Sequence, residues 1–165
     1  MITLRATQIA DLEYVLAAEY SPENSPYINQ WSREQHINLF SQADAAHLIV
    51  EADPATQPDK LEKVGYVILQ GLTNPHGSIE LRRLVITQKG QGYGRGAIEL
   101  IKKMAFHQYH AHRLWLDVKD FNYRAQSLYK STGFVLEGTF RECLKTDRGY
   151  ESLQIMSILA QEYQS

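Results

Sequence analysis

The chain has 165 residues, of which 44% are hydrophobic and 22% charged, with a formal net charge of -2. Such a length supports a single domain, residues 1–165, with a real core, and the faint acidic balance excludes the basic surface that tracks nucleic acid. No apolar run approaches the roughly 18 residues of a membrane helix, Met1–Thr7 lacks the basic head and apolar core of a signal peptide, and one cysteine, Cys143, forms no internal disulfide, so a reducing, cytoplasmic setting is expected.

Ile2 to Ala6 reads as a short strand. Thr7 is placed to cap a helix from about Ile9 to Tyr20, with Leu12, Val15 and Leu16 on one face. Ser21 to Pro26 breaks that helix, and a second runs from about Ser32 to Ser41 with Ile37 and Phe40 inward. Ala46 to Val50 is a strand, and Asp53 to Lys60, with Pro54 and Pro58, is an exposed connection. Val64 to Leu72 and Ser78 to Ile86 read as antiparallel strands joined at Asn74–Gly77. A glycine-rich loop follows, then a helix to about Tyr109 with Ile98, Ile101 and Ala105 along its apolar stripe. Arg113 to Val118 is a strand, and Asn122 to Thr132 a helix that Gly133 ends in the left-handed conformation. Phe134 to Glu137 and Leu153 to Leu159 are the last strands, around an exposed hairpin at Asp147–Gly149. The class is α/β with a mixed, mostly antiparallel sheet.

The loop Gly90-Gln-Gly92-Tyr-Gly94-Arg-Gly96 carries the first chemical information. Glycine lets backbone N–H groups approach a ligand with no Cβ in the way, and a helix starting there adds unpaired N–H groups and the positive end of its dipole. Together these form a phosphate site. A Walker A loop is excluded, since no Gly-Lys pair occurs in the chain. A Rossmann loop belongs after the first strand of a repeating βαβ unit, whereas this one follows four strands. A kinase loop lacks its later catalytic-loop and Asp-Phe-Gly signatures.

Gln91-Gly-Tyr-Gly94-Arg-Gly96 resembles the acetyl-CoA pyrophosphate loop of the GNAT superfamily of N-acetyltransferases, Gln/Arg-x-x-Gly-x-Gly/Ala. A second block resembles the same superfamily in the expected order: Val118-x3-Asn122-x2-Ala125-x2-Leu128-Tyr129-x3-Gly133-Phe134. The resemblance implies a sheet of about seven strands with about four helices on its two faces. It also implies a parallel strand pair that splays to admit acetyl-CoA.

Acyl transfer to an amine requires that the thioester be held, the amine deprotonated, the oxyanion stabilised and the leaving thiolate protonated. For holding, the backbone of Gln91, Gly92, Tyr93, Gly94, Arg95 and Gly96 is expected on the pyrophosphate; Arg95 reads equally as a charge near the phosphates or a solvated helix-start side chain. The resemblance implies that Leu84, Val85 and Ile86 pair through their backbone with the pantetheine arm, and that the Leu84 N–H faces the thioester oxygen. It places Glu80 as a candidate base acting through water, against the plain reading of a surface charge paired with Arg82. It makes Tyr129 the candidate acid for the CoA sulfur, although the ring also fits simple packing against Ala125 and Leu128. Asn122 reads both as helix cap and as cofactor contact. The cluster of His107, His110 and His112 lacks a completing ligand, so no metal is expected.

Gly133 to Glu142, with Gly149-Tyr150 and a closing apolar strand, resembles the RimJ/RimL-type group, although Glu151 stands one place earlier than that group's usual acid. That group acts on protein N-terminal amines, polyamines and other small amines. Its acceptor wall would include Glu19, Glu23, Tyr27 and Trp31, acids and aromatic faces that suit a cation. Direct transfer in a ternary complex is expected; the alternative is a non-catalytic CoA-binding sensor. A membrane or nucleic-acid partner is not expected, and a homodimer is compatible with the reading.

Overall fold

The computed structural model describes residues 1–54, 56–57 and 59–163. Pro58 of the expected connection lies outside them. Seven strands form one sheet: β1 (Ile2–Ala6), β2 (Ala45–Ala52), β3 (Glu62–Gln70), β4 (Ser78–Ile86), β5 (Arg113–Lys119), β6 (Val135–Thr146) and β7 (Gly149–Leu159). Their order is β1-β2-β3-β4-β5-β7-β6, and all neighbours are antiparallel except β4 and β5. This is the mixed, mostly antiparallel sheet expected from the sequence.

Helices α1 (Leu12–Tyr20) and α2 (Arg33–Leu39) cover one face, and α3 (Tyr93–Lys103), α4 (Tyr123–Ser131) and the short α5 (Ala160–Tyr163) the other. The sheet therefore separates two cores. Leu48, Val50, Val67, Leu69 and Leu81 meet Ile98 and Ile101 of α3 on one side. Ile49, Tyr66, Ile68 and Val85 meet Val15, Ala18 and Leu39 on the other. Alternation along each strand supplies both faces from continuous apolar runs.

One irregularity in β4 matters for the site. Ile68 pairs with Arg83 but Leu69 pairs with Leu81, so Arg82 is an extra residue, a bulge. It reverses the phase of the strand. Ile79 and Leu81 point to the α3 side, whereas Arg83 and Val85 point to the α1 side. Parallel pairing with β5 covers only Ser78–Arg113, Ile79–Leu114 and Glu80–Trp115, and it stops just before this bulge.

Several local expectations are corrected. Thr7 does not cap a helix: Gln8 precedes the opening 3-10 turn Ile9–Asp11, while the Thr7 hydroxyl is buried 2.8 Å from His47 Nδ1. The inward residues of α2 are His36 and Leu39, with Ile37 and Phe40 only half-buried, because a buried polar network claims that face. The helix after the glycine loop ends as α3 and continues as a π turn over Met104–Gln108. The last hairpin is much longer than expected; β6 is mostly exposed, so it carries little apolar alternation by which to find it. Gly133 adopts φ 102°, the left-handed stop expected of it.

Candidate active site

The four glycines of the loop divide into two kinds. Gly90 and Gly92 both take φ 78°, with open space where a Cβ would stand, so their glycine serves backbone conformation. Gly94 and Gly96 serve close packing: a Cβ on Gly94 would lie 3.1 Å from Leu128 Cδ2, and one on Gly96 2.2 Å from Ile2 Cδ1. Gly92 is the N-cap of α3, and the first helical bond runs from the Gly96 N–H to the Gly92 carbonyl at 3.1 Å. The N–H groups of Tyr93, Gly94 and Arg95 therefore precede the helix's own bonding and have no backbone partner among the described residues.

These amides border a cavity of about 660 Å³. Gly92, Tyr93, Gly94 and Arg95 line it, as do Leu84, Val85, Ile86, Asn122 and Tyr129, whereas Gln91, Gly96 and Glu80 do not. Three cations border it: Lys89, Arg95 and Arg124. Sequence reading singled out only Arg95, which in the structure bonds Ser131 Oγ at 2.7 Å. Lys89 bonds Asn24 Oδ1 at 2.8 Å and the Ile86 carbonyl at 3.0 Å, and its partial burial, with Arg124 nearby, lowers its pKa. The signal for both was position, since Lys89 precedes the first glycine and Arg124 occupies the first turn of α4. Amides at a helix start among cations suit an anionic ligand.

Beyond Glu80–Trp115 the edge of β4 is unpaired on the β5 side. The Thr87 N–H donates to the Val64 carbonyl at 2.8 Å, and the register runs Ile86–Gly65, Val85–Tyr66, Leu84–Val67. Antiparallel alternation then turns the N–H and C=O of Leu84 and Ile86 away from β3, toward the gap. An extended ligand arm in that gap meets the strand edge at Leu84 and the Ile86 N–H, the Ile86 carbonyl being held by Lys89.

Asn122 is the N-cap of α4, its Oδ1 accepting from the Ala125 N–H at 3.3 Å. Tyr129, two turns on, is 8% exposed and packs edge-on against Phe134 at 5.6 Å. Its hydroxyl has no hydrogen-bond partner among the described residues. The residue borders both the large cavity and a second one of about 200 Å³ on the far side of the gap. Burial, with a contribution from Asp117, pushes its phenol well above the ordinary range, so it remains protonated.

Asp117 lines the smaller cavity and makes no hydrogen bond or ion pair to the described residues. Burial raises its pKa, and Arg82 and Arg83 offset part of the rise. Glu80 lies 3.5 Å from Arg82, its pKa also raised by burial, against Arg82 and with Asp117 adding. Asp117 was not among the site residues expected from the sequence; its place on β5, two residues before the last of the strand, was the available sign.

The acceptor wall differs from expectation. Glu19 is fully buried and committed: Arg83 Nη1 at 2.6 Å, the Tyr66 hydroxyl at 2.8 Å and the Trp31 N–H at 3.0 Å all donate to it. His36 Nε2 lies 2.8 Å from the same carboxylate, poorly aligned for a hydrogen bond. The Trp31 ring is covered by the guanidinium groups of Arg83 at 4.7 Å and Arg82 at 5.9 Å. Glu19 and Trp31 are thus used inside the protein. Tyr27 borders both cavities and packs against Phe121, and Glu23 borders the large one. Among the described residues no cluster suits a metal ion, and no helix is long and apolar enough to cross a membrane.

The sequence pattern of the acetyltransferase (GNAT) family matches residues 10–134. Among solved structures, the chain is similar to a spermidine N-acetyltransferase from Vibrio cholerae in complex with CoA and spermine, with a TM-score of 0.84, 24% identity, and 99% of this chain and 98% of that one covered. A chimera of the Vibrio cholerae spermidine N-acetyltransferase and hSSAT is similar with a TM-score of 0.84, 25% identity and the same coverage.

Proposed function

The chain belongs to the acetyltransferase (GNAT) family, and from that premise we propose that it moves the acetyl group of acetyl-CoA directly to a primary amine in a ternary complex. The observation that carries this reading is Tyr129 at the junction of two cavities, one bordered by the amides of Tyr93–Arg95, the other by Asp117. The pyrophosphate would rest on those amides, with Lys89, Arg95 and Arg124 supplying charge. The pantetheine arm would lie along Leu84–Ile86, and the Leu84 N–H would meet the thioester oxygen as negative charge develops there. The amine would lose its proton to a carboxylate, attack the carbonyl carbon, and expel the thiolate, which takes the phenolic proton of Tyr129. Asn122 would hold the start of α4 and border the cofactor.

Two carboxylates compete for the amine proton. Glu80 can act only through water, since it borders neither cavity, whereas Asp117 lies in the acceptor space itself. We assign Asp117 the first position and Glu80 the relay behind it. The block from Gly133 to Tyr150 supports a RimJ/RimL-like subgroup; the solved relatives named for spermidine support a small primary amine as the acceptor. An exposed lone Cys143 agrees with a reducing, cytoplasmic setting. A screen of amines with acetyl-CoA, read by thiol release, tests the proposal. Amine-dependent release is expected; binding of acetyl-CoA without release would favour the sensor reading.

A further inference from the structure

The charges around the smaller cavity select among amines. We infer that the acceptor is a small amine bearing its own carboxylate, an amino carboxylate, and not a polycation; this rests on the acetyl-transfer reading above. The side chains bordering that cavity include one carboxylate, Asp117, and three cations, Arg82, Arg83 and Lys119. A polyamine brings several ammonium groups. One can meet Asp117; the next finds no second acid among the residues bordering that cavity, since Glu23 borders the large cavity alone. Glu19 is saturated by donors. Glu151 is held by Lys119 at 3.0 Å and by Arg148 at 3.1 Å. Glu80 borders neither cavity. Arg82, Arg83, Lys119 and Arg148 are matched by Glu19, Glu80, Asp117 and Glu151, so the surroundings are neutral overall. A neutral site with separated charges matches a zwitterion, whereas like-charge contacts exclude a polycation.

Arg82 is the residue placed to receive the carboxylate. The bulge gives it a position of its own on β4, outside the alternation that buries Arg83. Its side chain is 40% exposed and is held by a single long contact of 3.5 Å to Glu80, with the Trp31 ring 5.9 Å away. A guanidinium in that state retains donors for a planar, two-point carboxylate contact. The ammonium of the same molecule then lies at Asp117, where its proton must leave. Arg83 and Lys119 cannot take this part: the first is buried against Glu19, and the second donates to Glu151 and the Pro26 carbonyl.

The test compares matched acceptors on the intact protein with acetyl-CoA: a straight-chain monoamine, the amino carboxylate of the same length, the corresponding diamine, and spermidine. The expected kcat/KM is highest for the amino carboxylate, by about tenfold or more over the others. Arg82→Glu should erase that advantage and raise the diamine relative to it, while Arg82→Lys keeps the order. These are ratios within one protein, so partial loss of folded enzyme does not mimic them. A wild-type preference for spermidine or the diamine, or an Arg82→Glu variant with an unchanged ratio, overturns the inference alone. Absence of thiol release with every amine, although acetyl-CoA raises Tm, overturns the acetyl-transfer reading and the inference with it.

Discussion

Glu80 and Trp115 are the last matched residues between β4 and β5. Two residues later Arg82 bulges from β4, and the strands no longer share a ladder. Unpaired edges are ordinarily a hazard that proteins cover or block. Here the uncovered edge lies inside the molecule, between the glycine loop and the smaller cavity, with Tyr129 bordering both cavities. The site is therefore a consequence of interrupted pairing in the middle of a sheet.

Tyr129→Phe separates packing from chemistry. The ring contact with Phe134 at 5.6 Å survives the change, and the hydroxyl has no partner in the chain to lose. Stability should change by under about 0.5 kcal/mol, the range of substitutions that break no named interaction. Turnover should fall about a hundredfold or more if the phenol is the acid, with little change in CoA affinity. Steady-state kinetics beside CoA titration reads both; unaltered kcat would remove Tyr129 from the chemistry.

The two kinds of glycine should fail differently. Gly92→Ala places a side chain at φ 78° with free space around it, so the cost is backbone strain of about 1 kcal/mol, and disturbed amides should weaken CoA binding. Gly96→Ala drives a Cβ to within 2.2 Å of Ile2 Cδ1 and should cost about 1–3 kcal/mol. Ile2→Val removes that atom and should recover most of the loss in the double variant. Denaturant titration of the four proteins completes the cycle; additive losses would show that the two residues do not meet.

Much of this was legible in the sequence because it is local. A continuous apolar run marked Val64–Leu72, alternation marked Ser78–Ile86, and the Asn122 cap and Gly133 stop marked α4 closely. Interactions between distant residues were not legible. Glu19 reads as an acid on a helix, and only its meeting with Arg83, 64 residues away, shows that it is spent. Asp117 is the converse case: β5 continues to pair with β7 on its other side, and what exposes Asp117 is the departure of β4. Gly96 was read as a phosphate contact, yet its N–H is bonded in α3 and its Cα faces β1. Motif spacing cannot distinguish those uses of glycine.

The order of the carboxylates is open to kinetics. Asp117→Asn should lower kcat/KM at pH 7 more than Glu80→Gln does, since Asp117 borders the smaller cavity beside Tyr129 and Glu80 borders neither. Burial raises both pKa values, so the rate should rise with pH above the ordinary carboxylate range, and loss of the true base should flatten that limb. A larger effect of Glu80→Gln, with the limb flattened there alone, would return the role to Glu80.

The buried histidines make stability depend on pH in a definite direction. His47 Nδ1 lies 2.8 Å from the Thr7 hydroxyl and its Nε2 2.9 Å from His36 Nδ1. Burial, followed by the fields of His36 and, less strongly, Arg83, lowers its pKa from 6.5 to about 4, although Glu19 and Asp11 act the other way. The folded state therefore binds fewer protons than the unfolded chain between about pH 6.5 and 4, and stability is lost as pH falls through that window. From pH 7 to pH 5 the loss from this residue is about 2 kcal/mol. A His47→Gln variant keeps polar partners but cannot titrate, so its loss of stability over the same interval should be smaller. Denaturant titrations at pH 7 and pH 5 measure both slopes, and parallel slopes would mean that His47 carries its proton equally well in the folded protein.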